Sequence, residues 1–245
     1  MTHWLETDHG EVLAALWPWM DDAIDVPIPK GDLDLLIGLA RGDPATISDA
    51  AFSATMREAL EEAIATVGAA VFVRTSFSSF RPVGGALAPA AGIADVETLL
   101  RRRNDRVAAL LEAARAARHP VSLFVSAWRT IAPHAEFRAF VYRGKVAGIS
   151  QRFHRSAYPE IERRAAAIEA DLRSLLAQAL PHLPSETLVV DLEWQGAEAP
   201  RAATIIEVNP FTRATDPCLF SWDSGGDFDY GFRIRPLRNP PPPFS

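Results

Sequence analysis

The sequence is short of several things that would have fixed its chemistry at once. It has one cysteine, Cys218, in 245 residues. That excludes an internal disulfide and a cysteine-rich zinc site. Its lysines are Lys30 and Lys145, so nearly all positive charge rests on arginine. With abundant alanine, this reads as the codon bias of a GC-rich genome. No apolar run approaches the roughly 18 residues that span a bilayer, and "MTHWLETDHGEVLAALWPWMDD" lacks the basic start of a signal peptide. A cytoplasmic location is therefore expected. The six histidines show no ligand spacing, and neither a Walker loop nor a nucleophile elbow is present.

What is there is the composition of a globular protein, 48% hydrophobic and 23% charged. The net charge of −6 argues against duplex DNA as a partner, while a local basic cleft stays open. Residues 11–20 and 31–41 read as short helices around an extended or turning "DVPIPKGD". Residues 48–68 form a clearer helix with Ser48 or Ser53 as cap and Gly68 as stop. "AAVFVRTSF" reads as a strand, and "RPVGGALAPAAG" as a loop and candidate flap. Residues 95–117 read as one long helix capped by Asp95, and "VSLFVSAW" as a strand. "AEFRAFVYRGKVAGISQRF" is a hairpin turning at Arg143-Gly144. A third long helix spans 158–180, and a second hairpin is made by "LVVDLEW" and "ATIIEVNPF". Helices alternating with hairpin-paired strands imply an α+β fold with a mostly antiparallel sheet.

That last hairpin raises the functional question. Residues i and i+2 of a strand share a face, so Asp191 joins Glu193, and Glu207 joins Asn209. Paired strands gather these oxygens on one surface, a hard donor set suited to Mg²⁺ or Mn²⁺. A hairpin with one solvated face gives the same alternation, and on local grounds both readings stand. Three arginines interrupt apolar strands: Arg74, Arg138 and Arg152. A guanidinium forks onto phosphate oxygens and stays charged at any relevant pH; an arginine snorkelling to water from a strand edge is the plain alternative. Glu136 shares the face of Arg138. Ser76, Ser78, Ser79 and Arg81 follow Arg74 in a hydroxyl-rich stretch.

Taken in order, "VFVRTSFSSFRP", "EFRAFVYRGKVAGISQR", "VVDLEW" and "IIEVNPF…TDPCLFSWD" resemble the cell division cycle protein 123 (D123) family, which is similar in fold to the ATP-grasp enzymes. The resemblance covers most of the chain. It implies an N-terminal lobe of about residues 1–120, a nucleotide and metal lobe of about 121–238, and a Pro-rich tail at 239–245. ATP and Mg²⁺ (or Mn²⁺) are the implied cofactors, bound between two lobes. Arg74 falls at the family's phosphate-contacting lysine and Ser76 beside it. Arg138 and Arg152 fall at its basic phosphate-side positions, with Glu136 near them. Val125 and Trp128 lie on the strand matching the adenine hinge, and Asp191, Glu207 and Asn209 match the metal ligands. Arg for Lys at 74, Glu for Asp at 207, and Phe153-His154 where an acid usually follows are departures.

Two functions share such a site. One is an enzyme, an ATP-dependent ligase or a phosphoryl or nucleotidyl transferase, with Arg138 and Arg74 as catalytic residues and an unidentified protein acceptor. The other is a non-catalytic assembly factor, as eukaryotic members are for heterotrimeric translation initiation factor 2. A bacterial host would lack that partner. A Trp4, Trp17 and Trp19 surface would favour the assembly role, although such clusters are commonly core. An RNA acceptor is a third reading, with "LRRRNDR" as its basic patch.

Overall fold

A computed structural model describes residues 23–47, 51–68, 70–76, 78–80, 88–183, 185–209, 211–213, 215–223 and 226–237. They divide into two compact units, meeting in sequence at 129/130. The N-terminal helix expected at 11–20, the three tryptophans, Arg81, most of the flap and the Pro-rich tail lie outside the described residues.

The first unit runs β1 (Ala23–Pro27), α1 (Lys30–Arg41), α2 (Pro44–Ile47), α3 (Ala54–Val67), β2 (Val71–Thr75), α4 (Ile93–Leu100), α5 (Asp105–Ala117) and β3 (Ser122–Ala127). Its antiparallel sheet has the order β1-β3-β2. Leu123, Phe124 and Val125 are buried together on β3, the pattern of a strand covered on both faces. Its pairing with β1 and β2 places β3 in the first unit. The α3 helix buries Met56, Leu60, Ala63 and Ile64, one stripe at helical spacing. Ser53 caps it by accepting from the Met56 amide, and Gly68, at φ 117, ends it. Asp32 is buried on α1, where its two oxygens accept from the Ser53 amide (2.7 Å) and hydroxyl (2.6 Å).

Three expectations change here. "AIDVP" is a strand, edge-paired to β3 with Pro27 at its end, where a missing N–H does least harm. The long helix at 95–117 is two helices. Asn104 accepts from the Val107 amide and gives its own amide to the Ala40 carbonyl, so a local cap interrupts a continuous apolar periodicity. Asp95 is not the cap of α4, which is Gly92; its carboxylate instead reaches back to the Ala91 amide.

The second unit runs β4 (Glu136–Tyr142), β5 (Lys145–Gln151), α6 (Pro159–Ala179), a 3₁₀ turn (Leu180–His182), β6 (Leu188–Trp194), β7 (Ala203–Asn209) and β8 (Phe232–Arg233). The sheet order is β7-β6-β4-β5-β8, antiparallel except for the short β5–β8 pair. Arg143 (φ 51) and Gly144 (φ 70) turn the first hairpin, both left-handed as a two-residue hairpin loop requires. The α6 helix buries Ile161, Ile168, Leu172 and Leu176 and packs on β5, β6 and β7. Trp194 Nε1 donates to Asp171 Oδ2 on α6 at 2.8 Å. That contact fixes which side of β6 faces the helix, and strand alternation then puts Leu192, Phe137 and Ile149 on the same side. All three are fully buried.

Candidate functional site

The other side of this sheet carries the candidate site. Directly paired residues share a face, and the registers read Glu207↔Asp191, Asp191↔Arg138, Arg138↔Ser150 and Ser150↔Arg233. One polar residue per strand therefore crosses all five strands in a single row. A neighbouring row holds Thr204, Glu193 and Glu136. In the other direction the face turns apolar. There Phe140 and Val189 are fully buried beneath Phe211, Phe220, Trp222 and Phe228. Gly148 admits Phe220, because a Cβ at 148 would stand 2.4 Å from the Phe220 Cζ.

At the middle of the row, Arg138 forks onto Asp191. Its Nε donates to Oδ1 at 2.7 Å and its Nη2 to Oδ2 at 2.8 Å, with both side chains almost completely buried. Burial pushes the Asp191 carboxyl up, against the pull of the Arg138 guanidinium. Burial also works against the charge on Arg138, but the Asp191 fork outweighs it and the guanidinium moves further from neutrality. Asn209 Nδ2 donates to Asp191 Oδ2 (3.1 Å) and lies 3.4 Å from Glu207 Oε1. A bulge between Asp191 and Leu192 shifts the β6–β7 register just past this point.

This donor set fits a magnesium-class ion. An N–H donor bridges two carboxylates where a cation would, and a half-turn of the Asn209 amide presents an oxygen in its place. The resulting donors are two carboxylates and one amide oxygen, all hard. Asp191, Glu207 and Asn209, expected as a metal group from the sequence, are thus brought together.

Arg152 lies beside them. Its Nε is 3.7 Å from Glu136 Oε1 and its Nη1 is 3.2 Å from Asp216 Oδ2, while its amide donates to the Glu136 carbonyl. Asp216 was not singled out from the sequence. It links both arginines, because its carbonyl also accepts from Arg138 Nη1 at 2.9 Å. Burial would raise its carboxyl, but the Cys218 amide and the Arg152 charge outweigh that and hold it low. Cys218, two residues on, is pushed up to about 11 by burial. The signal for Asp216 was available in "TDPC", an acid before a proline in a loop, but nothing local says which arginines it meets. Among the described residues, one buried side-chain polar atom has no hydrogen-bond partner, Thr204 Oγ1, in the row of Glu193.

The remaining candidates belong to the first unit. Arg74 is buried on β2, with its Nε 3.4 Å from the Thr75 carbonyl. Ser76 Oγ accepts from the Ser122 amide at 3.1 Å. Val125 sits mid-strand in β3, paired to Ile24 on one edge and Val73 on the other. Pairing on both edges commits the strand's backbone groups to the sheet. Trp128, just beyond, gives its amide to the Ala70 carbonyl and sets its ring against Phe72.

Comparison with known proteins gives this arrangement a relationship. The D123 family model matches residues 93–225, more than half of the chain. The chain belongs to the D123 family. The matched stretch covers the second unit from β4 through Trp222 and leaves out Phe228 and β8. Cell division cycle protein 123 of Eremothecium gossypii is 37% identical over 109 residues, 42% of this chain and 28% of that protein. A translation initiation factor eIF2 assembly protein of Xenopus laevis is 30% identical over 102 residues, 41% of this chain and 29% of that protein. The aligned stretches thus span less than a third of these D123 relatives. Among solved structures, Cdc123 from Schizosaccharomyces pombe superposes with a TM-score of 0.75, covering 95% of this chain and 96% of that one at 21% identity. The two share a fold. No helix among the described residues is long and apolar enough to cross a membrane.

Proposed function

We propose that this protein is a magnesium–ATP-binding assembly factor that acts on a protein complex in the cytoplasm. The observation that carries the reading is the oxygen cluster of Asp191, Glu207 and Asn209, backed by the buried Arg138. Asp191, Glu207 and Asn209 would hold the ion, which when bound supplies charge neutralisation for a nucleotide polyphosphate. Arg138 orients Asp191 and keeps it from turning away. Arg152, held by two carboxylates and still partly exposed, is the cation a phosphate would meet. The relatives' names, one of them an eIF2 assembly protein, support a protein partner whose joining depends on the nucleotide. The RNA reading has no further support.

A turnover reading stays second, favoured by the same two arginines beside the oxygen cluster, which suit phosphoryl transfer as well as binding. Calorimetry with Mg²⁺–ATP, followed by incubation with α- or γ-labelled ATP and host lysate, separates the two. The assembly reading expects binding without product, and ATP-dependent capture of a defined complex. Release of ADP or AMP that disappears in Asn209→Ala makes the protein an enzyme. Absence of ATP binding removes both readings and returns the hairpin to a polar sheet face.

A further inference from the structure

A second constellation lies beside the oxygen cluster and has a different chemistry. Among the described residues, a nitrogen of His154, a carboxylate oxygen of Asp216 and the Cys218 sulfur all lie within 4.8 Å of one another. We propose that these three residues form a transition-metal site of the zinc class, separate from the oxygen cluster of Asp191, Glu207 and Asn209.

The donor types select the ion. Imidazole, thiolate and carboxylate together suit Zn²⁺ or Co²⁺, whereas Mg²⁺ and Ca²⁺ call for oxygen donors throughout. Three protein ligands leave a fourth position for solvent, and Asp216 provides the open side, since its side chain is 43% exposed while Cys218 is buried.

The ligands are also held in place before any ion arrives. His154 Nδ1 lies 3.4 Å from the Arg152 carbonyl. A carbonyl only accepts, so the Nδ1–H tautomer is the one that makes this contact a hydrogen bond, and in that tautomer Nε2 keeps its lone pair for a metal, the arrangement that orients ligating histidines elsewhere. The turn carrying His154 is fixed by Gln151 Nε2, which donates to the Phe153 and Ser156 carbonyls, and by Arg235 Nε, which donates to the His154 carbonyl. On the other side, the Cys218 amide donates to Asp216 Oδ1 at 2.9 Å, and Cys218 adopts φ 59, a left-handed conformation uncommon outside glycine. Ser150 Oγ accepts from the Leu219 amide, and Arg233 holds the Leu219 carbonyl.

The nearby positive charges are matched. Arg138 is forked onto Asp191, and Arg152 lies between Glu136 and Asp216. Asp216 is shared, so a metal and Arg152 compete for it. Binding displaces the thiol proton of Cys218 to solvent as the sulfur–metal bond forms.

The test is titration of the chelator-stripped full chain with Co²⁺, without nucleotide, read by absorption. One equivalent should produce a thiolate-to-cobalt charge-transfer band that Zn²⁺ abolishes. Cys218→Ser should lose the band. His154→Ala, at a half-buried turn position, should weaken Co²⁺ binding at least about tenfold and serves if Cys218→Ser does not fold. Glu207→Gln should leave the band intact. A wild-type protein with no charge-transfer band, or a band of unchanged affinity in His154→Ala, overturns the proposal.

Discussion

The two faces of the five-stranded sheet are built from the same strands and behave as different materials. Toward α6, β4 and β6 bury Phe137, Leu192 and Trp194 while α6 buries Ile168, Leu172 and Leu176, and apart from the Trp194–Asp171 hydrogen bond, packing accounts for the choice of residues. On the opposite face, one residue away along each strand, Glu207, Asp191, Arg138, Ser150 and Arg233 run across the sheet. Apolar contacts tolerate substitution of similar volume. The buried charged pair at the centre of the row, Arg138 and Asp191, does not, because removing one strands the other. The first face holds the sheet together, and the second keeps Asp191 and Asn209 in place at a cost in desolvation.

The largest expected effect follows from that contrast. Arg138→Met should destabilise the protein by about 3–5 kcal/mol by leaving Asp191 buried without its partner. Adding Asp191→Leu should recover most of the loss. Urea unfolding of both variants and the wild type measures this. If the single variant unfolds at the wild-type midpoint, the pair is not the centre of the polar face. The next effect tests where that face turns apolar. Gly148→Ala places a methyl 2.4 Å from the Phe220 ring and should cost about 1–3 kcal/mol by overpacking, with altered tryptophan fluorescence from Trp222 as the ring cluster shifts.

A functional prediction separates binding from packing on the same face. Asn209 is half-buried and contributes one donor to the carboxylates. Asn209→Ala should lower stability by no more than about 1 kcal/mol and weaken Mg²⁺–ATP binding at least about tenfold, since a ligand to the ion is lost. Thermal melts with calorimetry on one preparation decide it. Equal loss in both would make Asn209 a structural residue.

Much of this was legible in the residues, and the gaps have physical causes. The hairpins could be read because polar and apolar residues alternate at the start of "EFRAFVY" and the end of "LVVDLEW", and because Arg143-Gly144 supplies the turn. The polar character of the last hairpin could be read because Asp191, Glu193, Glu207 and Asn209 interrupt apolar strands at i, i+2 spacing, while the narrower set of Asp191, Glu207 and Asn209 was implied by the family resemblance and not by the spacing. The break at Asn104 was hidden because apolar periodicity continues across it, and the cap works through one amide at Val107. β1 was hidden because two prolines in "DVPIPKGD" suppress a strand reading that only pairing with β3 restores. β8 has two residues, too few for any periodicity. Asp216 became visible only when the loop folded back to bridge Arg138 and Arg152. The fork of Arg138 onto Asp191 was the least legible point. From sequence, Arg138 read as a phosphate ligand, and the register that sets it opposite Asp191 emerges only from strand pairing.

The smallest effect lies at the far end of the row, where the polar face meets solvent. Arg233 is held by Asp227 (2.8 Å) and Asp229 (3.1 Å), and its guanidinium also stacks over Phe220. The Arg233 hydrogen bond to Asp227, and the Gly231 amide with Arg233 at Asp229, hold both carboxyls below the usual range. A folded-state value depressed below the unfolded one adds stability that is fully present above about pH 4 and is lost as the pH falls through the lowered values. Both aspartates are exposed, so solvent screens the gain and the contribution stays under about 1 kcal/mol. Arg233→Gln should therefore leave a nearly unchanged melting temperature at pH 7 and a shallower decline in stability between about pH 4 and pH 2 than the wild type shows. Melts across that range in low and high salt check it, the difference shrinking with salt. A steep, salt-independent loss at pH 7 would instead mean that Arg233 supports the Phe220 ring as the buried members of the row support Asp191, extending the charged, substitution-intolerant character of the face to its solvent edge.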